Sequence, residues 1–153
     1  MRGKMDRTLR GLLAGMIAAI PMNAWSLFSF YILGQTDLRL LDWGSYVVFG
    51  NLPQNALEVV GGQLAQIFWC GFIGVLFALL IPFLTSRHLL LKGIFYGFIT
   101  GFFMYAIPVI ISTPILGDPT TGRAISQAVA GMVWGASLAY AFDYLDEKKP
   151  SSL

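Results

Sequence analysis

Charged residues are missing from four long stretches of the chain, residues 11–36, 59–86, 93–117 and 124–142. These stretches are 26, 28, 25 and 19 residues long. A helix needs about 20 predominantly apolar residues to cross the hydrocarbon core of a bilayer. Lipid admits only helices or closed barrels, because every backbone N–H and C=O must find a partner inside the protein. The strict apolar/polar alternation of a barrel strand is absent. The pattern therefore predicts an all-α integral membrane four-helix bundle, a single transmembrane domain over 1–153. Its spans are expected at about 11–33, 59–84, 93–113 and 124–144.

The same pattern repeats along the chain. LRGLLAGMI (residues 9–17) and LKGIFYGFI (residues 91–99) share a basic residue, two glycines and an isoleucine in register, and ILGQ (32–35) is matched by ILGD (115–118). The partner helices match more weakly, Gln63 with Gln127 and Gly71 with Gly135. Two helical hairpins, 1–84 and 85–153, are read as a parallel repeat about an axis along the membrane normal, since two crossings restore the starting orientation. Gly11 and Gly15 form one G-x-x-x-G pair, Gly93, Gly97 and Gly101 extend another, and Gly131 and Gly135 supply a third. Burying Leu against Leu gains little over Leu against an acyl chain, so close backbone approach at small residues drives helix association in lipid. These glycines are expected to pack helices within one chain, with a homo-oligomer face as the other reading.

Charge orients the bundle. Of the ten basic residues, Arg2, Lys4, Arg7, Arg10, Arg87, Lys92, Lys148 and Lys149 fall on one side of the predicted spans, and Arg39 and Arg123 on the other. This positive-inside bias predicts a cytoplasmic (inner or plasma) membrane protein with both termini cytoplasmic. Arg10 and Lys92 would snorkel to the inner boundary. The first apolar run continues through Leu33, beyond the about 7–15 residues of a signal-peptide core, so it is read as a retained helix.

The two hairpins differ in their outer loops. GDPTTGR (117–123) has ordinary turn chemistry, whereas residues 35–57 carry Leu38, Leu41, Tyr46, Val47, Val48 and Phe49. That is too apolar for a solvated loop. It fits either a short interfacial helix, with Trp43 and Tyr46 at headgroup depth, or a cap over the outer mouth of the bundle.

No ionisable side chain falls near mid-bilayer, which argues against a proton relay or voltage sensor. The polar groups left at depth are amides, hydroxyls and indoles. Asn23, Gln63, Gln66, Tyr105 and Gln127 are expected in the outer half of the bundle, with Glu58 and Arg123 above them as an ion pair. They would form either a shallow outward-facing polar cavity or interhelical hydrogen bonds, each worth about 0.6 kcal/mol. Pro21 and Pro108 are expected to kink their helices.

Catalytic chemistry finds no support. His88, the one histidine, lies in the loop TSRHLLLK, and no zinc-protease, nucleophile-elbow or P-loop motif occurs. The one cysteine, Cys70, excludes an intrachain disulfide. No cofactor, metal or nucleic-acid partner is expected. The expected partners are the lipid bilayer and either a second copy of the chain or another membrane protein. The leading reading is a non-enzymatic structural or accessory component acting through helix or lipid contacts. The alternative is a minimal transporter or channel protomer working as a homodimer.

The stretches GLLAGMIAA, LLDWGSYVVFGNLPQNALEVVGGQ, LKGIFYGFITG and AVAGMVWGASLAY give the chain, over about residues 9–145, a resemblance to the small bacterial four-helix membrane proteins of the YqhR-like and YagU-like type. That resemblance implies the same four-helix architecture and brings no defined activity. Several relatives carry a histidine in the second or fourth helix, where the nearest polar groups here are Gln63 and Gln127.

Overall fold

The computed structural model describes residues 5–83, 88–118 and 120–147. Among them there are five α-helices and no strand: α1 Arg7–Tyr31, α2 Leu40–Phe49, α3 Ala56–Leu80 with a 3-10 turn Ile81–Phe83, α4 Leu89–Ile110 and α5 Thr121–Glu147. Four of them, Arg7–Tyr31, Ala56–Phe83, Leu89–Ile110 and Thr121–Asp146, are long and apolar enough to cross a membrane. Their outward faces carry Ile20, Phe68, Phe72, Phe95, Phe98 and Phe102, all exposed, an apolar belt suited to acyl chains and not to water.

Each long helix begins three or four residues before the expected span. Helices end where backbone caps are available, not where charge begins. The Asp6 carboxylate accepts from the Thr8 N–H, and the Asn55 side chain accepts from the Glu58 N–H. Arg7, Arg10, Glu58 and Arg123 therefore lie inside helices. Pro21 and Pro108 lie within α1 and α4.

The long helices form a curved row in the order α4, α5, α1, α3, and α2 packs on α3. Backbone contact at glycine holds each hairpin together. A methyl group on Gly11 would lie 2.6 Å from the Gly74 carbonyl oxygen and 2.7 Å from the Ala78 Cβ. One on Gly93 would strike the Gly135 carbonyl and lie 2.6 Å from the Ala139 Cβ. In the same way Gly74 faces Gly15 and Gly135 faces Gly97, each with 2.9 Å between an added methyl and the facing Cα. The contacts of the first hairpin thus recur in the second with the partner helices 61 residues apart, which sets Gln66 opposite Gln127 in the correspondence. The sequence match of Gln63 with Gln127 runs at 64, one helical turn out of step with these contacts.

The two hairpins meet along α1 and α5, where Ala14, Ala18, Phe77, Trp134 and Leu138 belong to one buried cluster. Trp134 is 4% exposed and its indole N–H donates to the Gly15 carbonyl at 3.1 Å. Trp25 donates to the Ser126 carbonyl at 3.1 Å. The outer helices α3 and α4 touch through Tyr96, whose hydroxyl donates to the Ile73 carbonyl at 2.8 Å and whose ring lies 5.2 Å from Phe77.

At the end of the bundle nearer the chain termini, Arg10 does not snorkel outward. It is buried, pairs with Asp146, and places its guanidinium 4.1 Å from the Phe142 ring centroid. Its Nε is buried without a hydrogen-bond partner among the described residues. A buried ion pair is cheap to replace by apolar groups and costly to halve. The Asp146 side chain is about half exposed, so Asp146→Ala, which strands the Arg10 charge, is expected to cost about 2 kcal/mol, between an exposed pair and a fully buried one. Arg10→Met, which keeps the packing on Phe142, should cost less. Denaturant unfolding of the two variants in detergent gives the order directly, and the reverse order would mean that the Arg10 guanidinium acts through the Phe142 ring and not through Asp146.

Candidate functional site

Because α3 and α4 touch near Tyr96 and not along their whole length, the row of helices leaves a groove between them toward the opposite end. Its volume is about 250 Å³. Met22 of α1 with Gln127, Gly131 and Trp134 of α5 form its floor. Its walls are Gln66, Cys70 and Ile73 of α3 and Thr100, Gly101 and Met104 of α4. Leu40 and Trp43 of α2 reach it from above. Trp69 on one side and Phe103 and Ile107 on the other both line it and remain exposed, so they are its lips, and it opens sideways through the apolar belt.

The roof is built from the long apolar loop. Residues 40–49 form a helix because Asp42 accepts from the Arg39 backbone N–H at 2.7 Å. At the other end Gly50 closes it with φ 76°, a left-handed C-cap that favours glycine. The Arg39 guanidinium also pairs with Asp42 at 2.7 Å and is held more firmly in its charged form by it. Gly44 lies against the Gly62 backbone, and the Leu40 N–H donates to the Ser26 hydroxyl at 3.0 Å, which ties α2 to both α3 and α1. Trp43, expected at headgroup depth, is buried, while Val47, Val48 and Phe49 are exposed. The segment caps the groove with one face and leaves the other outward.

The five polar residues separate into one network of three and two that stand alone. Asn23, Gln63 and Gln66 form one network. The Asn23 amide donates to the Ala19 carbonyl at 2.8 Å and to Gln66 Oε1 at 2.9 Å. Gln63 donates to the same Gln66 oxygen at 2.9 Å, and Gln66 Nε2 approaches Cys70 Sγ at 3.5 Å. Gln66 is 8% exposed. This is an α1–α3 tie in which the Gln66 oxygen accepts from both of the other amides. Gln127 stands apart on the groove floor and makes no hydrogen bond through its side chain among the described residues. Tyr105 points away to the Thr120 carbonyl, a long contact of 3.5 Å.

The expected Glu58–Arg123 pair is not formed. Glu58 accepts from the Gln54 N–H at 2.8 Å and from the Asn55 amide at 2.9 Å, as a local cap of α3. Arg123 turns to the first outer loop instead and binds both carboxylate oxygens of Asp37, at 3.1 and 2.6 Å. It also donates to the carbonyls of Ile115 at 3.1 Å, Leu116 at 3.3 Å and Asp118 at 2.7 Å. Gly122 sits against the Gln35 carbonyl beside it. The guanidinium hydrogen-bonded to Asp37 holds that carboxyl below its ordinary range.

Two features of the groove are not among the residues singled out from the sequence. Trp134 is visible there as the bulky residue beside Ala130, Gly131 and Gly135. The R-L-L-D run at 39–42 has the i, i+3 spacing of a helix-opening pair and marks where the cap begins. Among the described residues no three His, Cys, Asp or Glu side chains come together as a metal site would require. No family model matches the chain, and neither a curated protein nor a solved structure is significantly similar to it.

Proposed function

We propose that this chain is a non-enzymatic, multi-pass component of the cytoplasmic membrane, of the YqhR-like and YagU-like type, that works through contacts with lipid and neighbouring helices. Both termini lie in the cytoplasm, on the strength of the basic residues gathered at that end, and the two hairpins descend from one duplicated unit. One observation carries the reading over a solute path: the amides that would wet a cavity bond to each other within α1 and α3, while the groove beside them opens through apolar lips. A polar solute entering there would forfeit its hydration and find Gln127 as the principal free amide, which is a poor exchange when a buried unsatisfied polar group costs about 1–3 kcal/mol.

The test places single cysteines at Asn23, Gln63, Gln66 and Gln127 in a Cys70→Ala background. Intact membranes are then treated from outside with a membrane-impermeant maleimide. None of the four should react in folded protein, while a cysteine at Asp118, in the outer loop, should. Reaction at the amide positions would establish a water-filled outer cavity and restore the transporter alternative. Reaction at Asp118 only after the membrane is opened would reverse the orientation.

A further inference from the structure

Resting on that membrane reading, we propose that the groove between α3 and α4 is a binding site for one acyl chain of a glycerolipid, with the Gln127 amide donating to the ester carbonyl. The occupant follows from what surrounds the mouth. Trp69, Phe103 and Ile107 belong both to the groove and to the exposed apolar belt, so the groove is continuous with the lipid-facing surface and the medium at its lips is acyl chain. Its volume of about 250 Å³ lies just below the roughly 300–1,000 Å³ of sites that take drug-sized ligands. That leaves room for part of one chain and not for a whole lipid.

Depth supports the same occupant. Gln127 lies one helical turn below Arg123, about 6 Å at 1.5 Å per residue, and Arg123 is tied to the loops at the end of the bundle. An amide at that level meets the glycerol ester region, where lipid presents carbonyl acceptors. Trp134 lies two further turns along the same helix, about 10 Å deeper, where only methylenes are left to meet it. The Gln127 amide, free among the described residues, thus sits where a lipid is polar, and the tryptophan sits where it is not. The α2 roof, with Trp43 turned inward, closes the groove above the ester.

The experiment uses tryptophan quenching by brominated acyl chains. A variant keeping Trp134 alone, with Trp25, Trp43 and Trp69 changed to Phe, is reconstituted into phosphatidylcholine vesicles with or without bromine on the chains. A second variant keeps Trp69, at the lip, alone. Trp134 should lose most of its emission in the brominated vesicles. Thr100→Phe, which fills the groove at a residue whose hydroxyl bonds only within its own helix, should weaken that quenching several-fold. Gln127→Met should shift the brominated-lipid titration several-fold to higher lipid.

Quenching of Trp69 without Trp134 would overturn the acyl-chain site and leave the bilayer reading standing. Quenching of neither would overturn both. If brominated oleate in detergent quenches Trp134 and brominated phosphatidylcholine does not, the chain comes from a free fatty acid and the ester assignment falls. Should the Phe substitutions prevent folding, native mass spectrometry of the unmodified protein titrated with phosphatidylcholine reads the same site. One saturable adduct per chain, displaced by Thr100→Phe, is expected. Absence of a saturable adduct would overturn the proposal.

Discussion

Gly135→Val is expected to unfold a large part of the population in detergent, with a loss of about 3 kcal/mol or more out of the roughly 5–15 kcal/mol that holds a domain together. Two effects oppose each other at this position. Replacing an interior helical glycine by alanine gains up to about 1 kcal/mol of helix propensity, and the β-branched valine gains less than alanine does. Against that, an added Cβ meets the Gly93 carbonyl group, with its carbon at 2.8 Å, and the Gly97 Cα at 2.9 Å. These are backbone atoms on the facing helix, so no side chain can rotate away. Helix α4 has to move as a body, and the rest of the α4–α5 contact separates with it. Packing wins by a wide margin because van der Waals and close backbone contact are what associate helices in lipid.

The matched substitution is Gly74→Val in the first hairpin, where the added methyl meets the Gly11 carbonyl and the Gly15 Cα. It should cost a comparable amount. Ala24→Val, on an exposed position of α1, should stay within about 0.5 kcal/mol. Equilibrium unfolding in mixed micelles, followed by circular dichroism, gives all three values. A Gly135→Val protein as stable as Ala24→Val would mean that α4 and α5 do not touch at their backbones.

These glycines are legible in the sequence because their spacing is local: G-x-x-x-G places two small residues on one face of one helix. The four spans are legible for a similar reason, since a run without charge is a property of consecutive residues. What lies beyond reach depends on distant pairs. Arg123 finds its carboxylate 86 positions away, at Asp37, whereas Glu58 is spent on its own helix terminus. Capping is a local, strong claim on a carboxylate, and it outweighs the long-range pair that depth alone suggests. The amides converge in part. Asn23 and Gln66 share the α1–α3 contact that the glycines create, but Gln127 belongs to the second hairpin and is separated from them by the groove. No pattern in the sequence marks that groove, because it arises where two helices fail to pack.

Arg123→Ala is the second large effect, expected to cost about 3 kcal/mol and to open the roof of the groove. The side chain is 3% exposed and stitches the two outer loops together through Asp37 and three carbonyls. Hydrogen bonds to a charged group contribute about 1.5–3 kcal/mol each when neither partner can return to water. Asp37 is largely solvated in the folded protein, so its share is the smaller one, and the buried guanidinium's bonds to the loop carbonyls, above all to buried Leu116, carry most of the loss. Lysine should rescue little, since an ammonium cannot reproduce the planar fork that reaches both carboxylate oxygens and the backbone at once. Asp37→Asn should cost less than Arg123→Ala. The pH dependence has a definite sign. The pair with Arg123 lowers the Asp37 pKa, so its stabilisation is fully present above the unfolded value of about 3.9 and is lost as pH falls through the lower folded value. The wild-type loops should therefore loosen in acid below about pH 4, and Arg123→Ala should remove that step. The consequence for the groove follows from chain connectivity, because the loop held by Asp37 leads within three residues into α2, whose Leu40 and Trp43 cover the groove. A cysteine at Gln127, silent toward an impermeant maleimide in the otherwise native protein, should react once Arg123 is alanine. If unfolding and labelling are both unchanged, the two loops are held by the apolar contact of Leu38, Trp43 and Leu116, and Arg123 merely neutralises a carboxylate at the end of the bundle.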